Sequence, residues 1–272
     1  MKLTKVHIGG STSLARVVDG QFEILPFVDL ADLLMEPKWQ DLESKMALAY
    51  DESKIVNLFG STTRIFCIGL NYKSHIHETN KPTPEYPTVF AKFASTLIGP
   101  NDNISIPRIS ETVDWEVELG VVIGKAAKDV TKAEALEYVA GYVVTNDISM
   151  REWQNRTTQW FQGKNFEAST PVGPILVTPD EIDHARDLHI TCAIDGESVQ
   201  DSRTSDLLFQ PADLISYISA FTTLLPGDLI LTGTPGGVGN ARTPKRFLKQ
   251  GEVLTSTIEG IGTLKNKIVS QS

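Results

Sequence analysis

Two histidines and a glutamate crowd into residues 75–78 of the stretch IFCIGLNYKSHIHETN, residues 65–80, in a chain with five histidines altogether. His75 and Glu78 stand three apart, so on a short helix they share a face and can hydrogen-bond. A carboxylate behind an imidazole makes a general base. A lone histidine is more often a surface or satisfied core residue, so the chemistry depends on what else the chain brings to the same place.

The clearest companion is VDWEVEL, residues 113–119. Alternate side chains of a strand share a face, which puts Val113, Trp115, Val117 and Leu119 on one side and Asp114, Glu116 and Glu118 on the other. The plain alternative is a solvated strand face. Three like charges in a row repel one another, however, and the pattern makes sense if a cation neutralises them. Asp147 ends the strand-like GYVVTND, where it can lie beside Glu116 and Glu118. An all-oxygen set of this kind suits Mg²⁺, Mn²⁺ or Ca²⁺ better than Zn²⁺.

Two weaker signals accompany these. Lys164, in QGKNFE, comes after the aromatic-rich WQNRTTQWF. A lysine is usually a surface residue, but near a metal it can polarise a carbonyl or hold an oxyanion. LTGTPGGVGN, residues 231–240, lacks the Gly-Lys-Ser/Thr of a P-loop. Its backbone amides can cradle a carboxylate instead.

These groups need a scaffold. A length of 272 residues with 41% hydrophobic content supports a sizeable core. A net charge of −9 disfavours nucleic acid as a partner. No apolar run reaches membrane-span length, and the start, MKLTKVHIGGSTSLARV, lacks the apolar core of a signal peptide. Cys67 and Cys192 alone build no disulfide framework. The expectation is a cytoplasmic protein with two reduced thiols.

KLTKVHI, SLARVVD and QFEILP alternate as strands and VDLADLLM reads as a helix; they form a small N-terminal module over residues 1–62. From there RIFCIGL predicts a buried strand. NKPTPEYPTVFAKFASTLIGPND predicts a long functional or mobile loop. TVDWEVELGVVIG is a strand, and TKAEALEYVA a helix with Thr131 and Glu134 at capping-box spacing. HITCAIDGESVQ is a hairpin about Asp195-Gly196, and PADLISYISAFTTL a helix with Pro211 early in it. GDLILTG and GEVLTSTIEGIGTLKNKIV are strands. The sum is a β-rich α+β chain.

Five segments, in order, resemble motifs of the fumarylacetoacetate hydrolase superfamily, in its acylpyruvase and fumarylpyruvate hydrolase-like group. GLNYKSHIHE is similar to Gly-x-Asn-Tyr-x-x-His-x-x-Glu, and DWEVELGVVIGK to the metal strand. NDISMREWQ resembles Asn-Asp-x-Ser-x-Arg-Asp-x-Gln. QWFQGKNFEASTPVGP resembles the Gly-Lys-Ser-Phe-Asp stretch, and GDLILTGTPGGVG the carboxylate loop. The resemblance implies a mixed β-sandwich roll over residues 63–272 behind the small N-terminal α/β module.

It also implies roles. Glu116, Glu118 and Asp147 fall on metal ligands, for Mg²⁺ or Mn²⁺. His75 and Glu78 fall on a catalytic dyad carried by a lid helix, with Lys164 as the third catalytic group. Gln154, Arg151, Tyr72 and Thr234 match substrate-binding positions. His77 lies off the pattern. Asn165, Glu167 and Met150 depart from the usual Ser, Asp and Ala, near the expected pocket wall, and so put substrate identity in doubt. The implied reaction is hydrolysis of a C–C bond in an acylpyruvate-like 2-oxo acid by a homodimer. His75 activates water, and an enolate departs. Decarboxylation of oxaloacetate, or isomerisation or tautomerisation of an unsaturated 2-oxo acid, uses the same residues. A non-catalytic metal-binding protein is the alternative of a different class; loss of the dyad or of a metal ligand would mark it, and neither is lost.

Overall fold

The computed structural model describes residues 1–79 and 81–271. A large mixed sheet forms the spine. Its strands lie side by side in the order Met46–Ala49, Gln21–Ile24, Ser11–Val18, Lys2–Ile8, Thr170–Val177, Val139–Asn146, Val117–Ile123, Leu229–Leu231, Ile65–Gly69 and Thr88–Lys92. Most neighbours are antiparallel; Leu229–Leu231 and Ile65–Gly69 run parallel. The N-terminal strands join through Lys2↔Val177 and Leu3↔Leu176. A second sheet runs Glu197–Arg203, His189–Ile194, Val253–Ile258, Gly262–Ser270, Ile104–Ile106.

The central strand Val117–Ile123 explains how the layers pack. Val117, Leu119, Val121 and Ile123 are buried in one cluster with Ile190, Cys192, Leu254 and Leu264 of the second sheet. Val122 faces the other way, into a cluster with Leu229, Leu231 and the leucines of the helix Leu30–Met35. Gly120 has no room for a side chain, since a Cβ there would lie 2.6 Å from Val143 Cγ2. A strand buried on both faces belongs to a sheet covered on both sides.

Local chemistry sets the turns and ends. Asp195 and Gly196 both have positive φ, 49° and 85°, as a tight hairpin turn requires. The helix Pro211–Phe221 starts with proline, and Asp213 accepts the Gln210 amide at 3.0 Å, which satisfies a donor left free at a helix start.

Three expectations need correction. Residues 131–140 form no α-helix. The Thr131 hydroxyl does reach Glu134 at 2.6 Å, but the chain then makes only a short 3₁₀ turn, Ala135–Tyr138, before strand begins at Val139. Pairing of Val139 with Ile123 overrides a local helical preference. The long loop after Glu78 is shorter than expected, because Thr88–Lys92 pairs with Ile65–Gly69 as an edge strand. The acidic strand is broken at Trp115–Glu116, and its carboxylates are buried rather than solvated.

Candidate active site

The break in the acidic strand is what sorts its carboxylates. Val117 pairs with Asn146 and Glu118 with Thr145, so Asp147, one step past the strand end, comes beside Glu116. Its amide donates to Glu116 O at 2.8 Å, and the Glu116 amide donates to Asn146 Oδ1 at 2.9 Å. Glu116, Glu118 and Asp147 each offer a carboxylate oxygen, and these oxygens lie within 4.8 Å of one another. Asp114 does not join them. It accepts Arg151 Nε at 2.8 Å and the amides of Gly239 and Asn240 at 2.7 and 2.9 Å.

Such a cluster needs counter-charge. Lys164 Nζ donates to Glu116 Oε2 at 2.7 Å and to Asp147 Oδ2 at 2.8 Å, and Arg151 Nη2 lies 2.7 Å from Glu116 Oε1. Burial pushes the Glu116 carboxyl up, but the Lys164 and Arg151 charges outweigh it and hold the group down at about 2. Among the described residues Glu118 has no ion-pair partner, only the more distant charge of Lys164. Burial, then repulsion from Asp147 and Glu116, raise its carboxyl well above the usual range. The Lys164 charge and the Gly233 amide at 2.7 Å only partly offset this. Three buried oxygen donors, one of them short of positive charge, fit a hard divalent cation such as Mg²⁺ or Mn²⁺.

The second group arrives on the helix Lys73–Glu78. Asp206 fastens its first turn, accepting the Ser74 amide at 3.0 Å and hydroxyl at 2.6 Å. His75 Nδ1 then lies 3.2 Å from Glu78 Oε2, and Glu78 accepts the Gly237 amide at 3.0 Å. Burial opposes ionisation of Glu78, but the hydrogen bonds from His75 and Gly237 prevail and hold its carboxyl below the ordinary value. His77 points outward and is exposed.

One cavity of about 330 Å³ reaches both groups; His75, Glu78, Glu116, Glu118, Lys164 and Thr234 are among its lining residues, and Asp147 lies behind them, outside the lining. Arg151 and Gln154 line it too, linked by a 2.8 Å hydrogen bond. Phe90 and Trp160 make an aromatic wall, edge to face at 5.6 Å. Trp160 sits so close to Gly69 that a Cβ there would be 2.2 Å from the indole.

The remaining expected residues fall differently. Tyr72 is fully buried, bridges to Leu207 and is not among the lining residues. The Thr234 hydroxyl is already committed, donating to Val117 O at 2.9 Å and accepting from Gln200 at 2.8 Å. Asn165, Glu167 and Met150 do not line the cavity among the described residues. Asn165 instead accepts the Phe93 amide at 2.7 Å and donates to Ala91 O at 3.0 Å. The glycine-rich loop spends its amides on the protein's own Glu118, Glu78 and Asp114.

Sequence reasoning missed Lys92, buried against Asp147. Its signal was a lysine inside the apolar run TVFAKF, where a charge needs a buried partner. It also missed the wall residues Phe90 and Trp160, which nothing in local pattern separates from core.

A model described as fumarylacetoacetate (FAA) hydrolase C-terminal matches residues 64–269. The chain belongs to the fumarylacetoacetate hydrolase family. Its β-rich mixed sheets are those of the family fold: the fumarylacetoacetate hydrolase of Exiguobacterium antarcticum superposes with TM-score 0.88 at 29% identity, over 100% of both chains. The fumarylpyruvate hydrolase of Pseudomonas aeruginosa, solved with Mn²⁺ and pyruvate, has TM-score 0.70 at 31% identity, covering 84% of this chain and 93% of that one. The mitochondrial oxaloacetate tautomerase Fahd2a of Rattus norvegicus is 46% identical over 207 residues, 76% of this chain and 66% of the rat protein. The chain therefore spans slightly under two thirds of that relative's length. Among the described residues no helix is long and apolar enough to cross a membrane.

Proposed function

We propose that the chain is an enzyme that moves a proton at the carbon beside the keto group of a small anionic 2-oxo acid, with tautomerisation of oxaloacetate as its reaction. The observation that carries this is the His75–Glu78 pair, 3.2 Å apart, opening on the same cavity as Glu116 and Glu118 of the buried acidic triad. The 46% identical rat oxaloacetate tautomerase supports the choice of reaction.

Glu116, Glu118 and Asp147 would hold Mg²⁺ or Mn²⁺. When bound, the ion supplies a Lewis acid that lowers the cost of enolate charge. The side chains do the rest. Glu78 accepts a hydrogen bond from Nδ1–H of His75, which fixes the tautomer and leaves Nε2 as the base. His75 removes a proton from C3, and Glu78 stabilises the imidazolium. In the keto-to-enol direction His75 then delivers that proton to the former keto oxygen; in the enol-to-keto direction the same path runs backwards, His75 taking the proton of the enol hydroxyl and giving it to C3. Lys164 and Arg151 keep Glu116 ionised, and Phe90 and Trp160 limit water beside the reacting carbon.

Hydrolysis of a C–C bond in an acylpyruvate is the second reading. The likeness to a fumarylpyruvate hydrolase solved with Mn²⁺ and pyruvate favours it. There His75 would take its proton from water. Decarboxylation and isomerisation draw on the same groups. The deciding experiment gives the purified protein Mg²⁺ or Mn²⁺ and follows enol-to-keto conversion of oxaloacetate beside cleavage of acetylpyruvate and fumarylpyruvate. Tautomerisation should be the fastest process. Cleavage exceeding it would install the second reading, and no acceleration of any of them would end both.

A further inference from the structure

Lys92 closes the strand Thr88–Lys92, and its ammonium is wholly buried, as is the Asp147 carboxylate beside it. It donates to Asp147 Oδ1 at 2.5 Å, while Lys164 takes Oδ2. Lys92 is not among the cavity-lining residues, and no proton transfer in the proposed reaction uses it. An ammonium taken out of water is costly unless its attraction to a neighbour compensates.

Four carboxylates are buried together here, Asp114, Glu116, Glu118 and Asp147, against three cations, Lys92, Arg151 and Lys164. Arg151 answers Asp114 and Glu116, and Lys164 answers Glu116 and Asp147. Among the described residues, the one carboxylate that Lys92 pairs with is Asp147. The main chain of Asp147 is held without it, through the Asp147 amide to Glu116 O and the Ser149 hydroxyl to Asp147 O, both at 2.8 Å, and the second carboxylate oxygen is held by Lys164.

We propose that Lys92 is a built-in counter-ion of the acidic triad. It carries charge that a divalent ion would otherwise supply, so it stabilises the metal-free protein and works against metal binding. The inference rests on the triad being the metal site. A residue that instead orients Asp147 as a ligand would have the opposite effect, because its loss would weaken binding.

The test uses the full chain, stripped of metal, as wild type, Lys92→Met, Lys92→Gln and Lys92→Arg. Mn²⁺ affinity is measured by calorimetry, and melting temperature with and without Mn²⁺. Removing a unit charge beside the site should lower the Kd for Mn²⁺ by about tenfold or more in Lys92→Met and Lys92→Gln. Both should melt lower than wild type without metal and recover most of the difference in saturating Mn²⁺. Lys92→Arg, which keeps the charge, should bind like wild type. Neutral variants that fold only with Mn²⁺ also support the inference; variants that fold in neither condition overturn it. Equal or weaker Mn²⁺ binding in a folded neutral variant overturns it while leaving the metal site intact. A wild type that binds neither Mn²⁺ nor Mg²⁺ removes the metal-site reading and this inference together.

Discussion

The Glu78 carboxylate accepts the Gly237 amide at 3.0 Å. That contact ties the helix bearing His75 to the loop whose Gly233 amide holds Glu118, so His75 and the acidic triad share one support. His75→Ala should lower kcat/KM by about 10²-fold, the usual size of a general-base contribution. Glu78→Gln should act in the same direction, and the double variant should be little worse than either, because the two act as a unit. His77→Ala should leave kcat/KM unchanged. A damaging His77→Ala beside a harmless His75→Ala would put the base on the other histidine.

Chelation should abolish turnover, and Mg²⁺ or Mn²⁺ should restore it. Glu118→Gln should weaken metal binding while leaving the circular dichroism spectrum intact, since Leu119 and Val117 carry the packing of that strand. Full turnover by metal-stripped protein would rule out the triad as a working metal site.

Asp114 should matter to stability although it holds no metal in this reading. It pairs with the buried Arg151 and caps the Gly239 and Asn240 amides. Asp114→Ala leaves Arg151 without that partner, and breaking a buried pair this way costs about 3–5 kcal/mol. Urea denaturation reads the loss directly. A change below about 1 kcal/mol would mean that Glu116 alone satisfies the guanidinium.

The segment Tyr72–Pro87, of which Asn80 lies outside the described residues, should behave as a lid. Amide exchange at residues 73–79 should be fast in the free protein and slow with metal and oxalate, a mimic of a 2-oxo acid enolate. Equal protection in both states would argue for a fixed wall.

Acid should erode a contribution from Glu78. Its folded carboxyl sits below the ordinary value, so the stability it adds is full above about pH 4.3, the usual unfolded value, and is lost as pH falls through the folded value. Melting curves of wild type and Glu78→Gln should therefore differ at neutral pH and converge in strong acid. The difference will be small, because Glu78 is partly exposed and solvent screens it. Curves that stay equally separated at every pH would show that charge is not the cause.

Much of the candidate site was legible in sequence because the signals are local. The spacing of His75 and Glu78 on one helical turn, and of Glu116 and Glu118 on one strand face, follows from backbone periodicity. A buried strand face explains the alternation around Leu119. The same periodicity misplaced Asp114, because the strand is interrupted at Trp115–Glu116 and that carboxylate meets Arg151 and the Gly239 amide instead. It also made a helix of residues 131–140, where pairing of Val139 with Ile123 decides for strand.

By itself the sequence determined the family, the β-rich class and the residue types able to hold a cation and move a proton, since each depends on short stretches of chain. Only the tertiary structure decided what those residues face. It set Lys92 against Asp147 across 55 positions and the glycine-rich amides against Glu78 and Asp114 across more than a hundred. Burial then fixed the charge logic: in a dry interior each carboxylate must find a cation, a proton or an amide nearby, and strand register, which no local pattern encodes, settles which of these it meets.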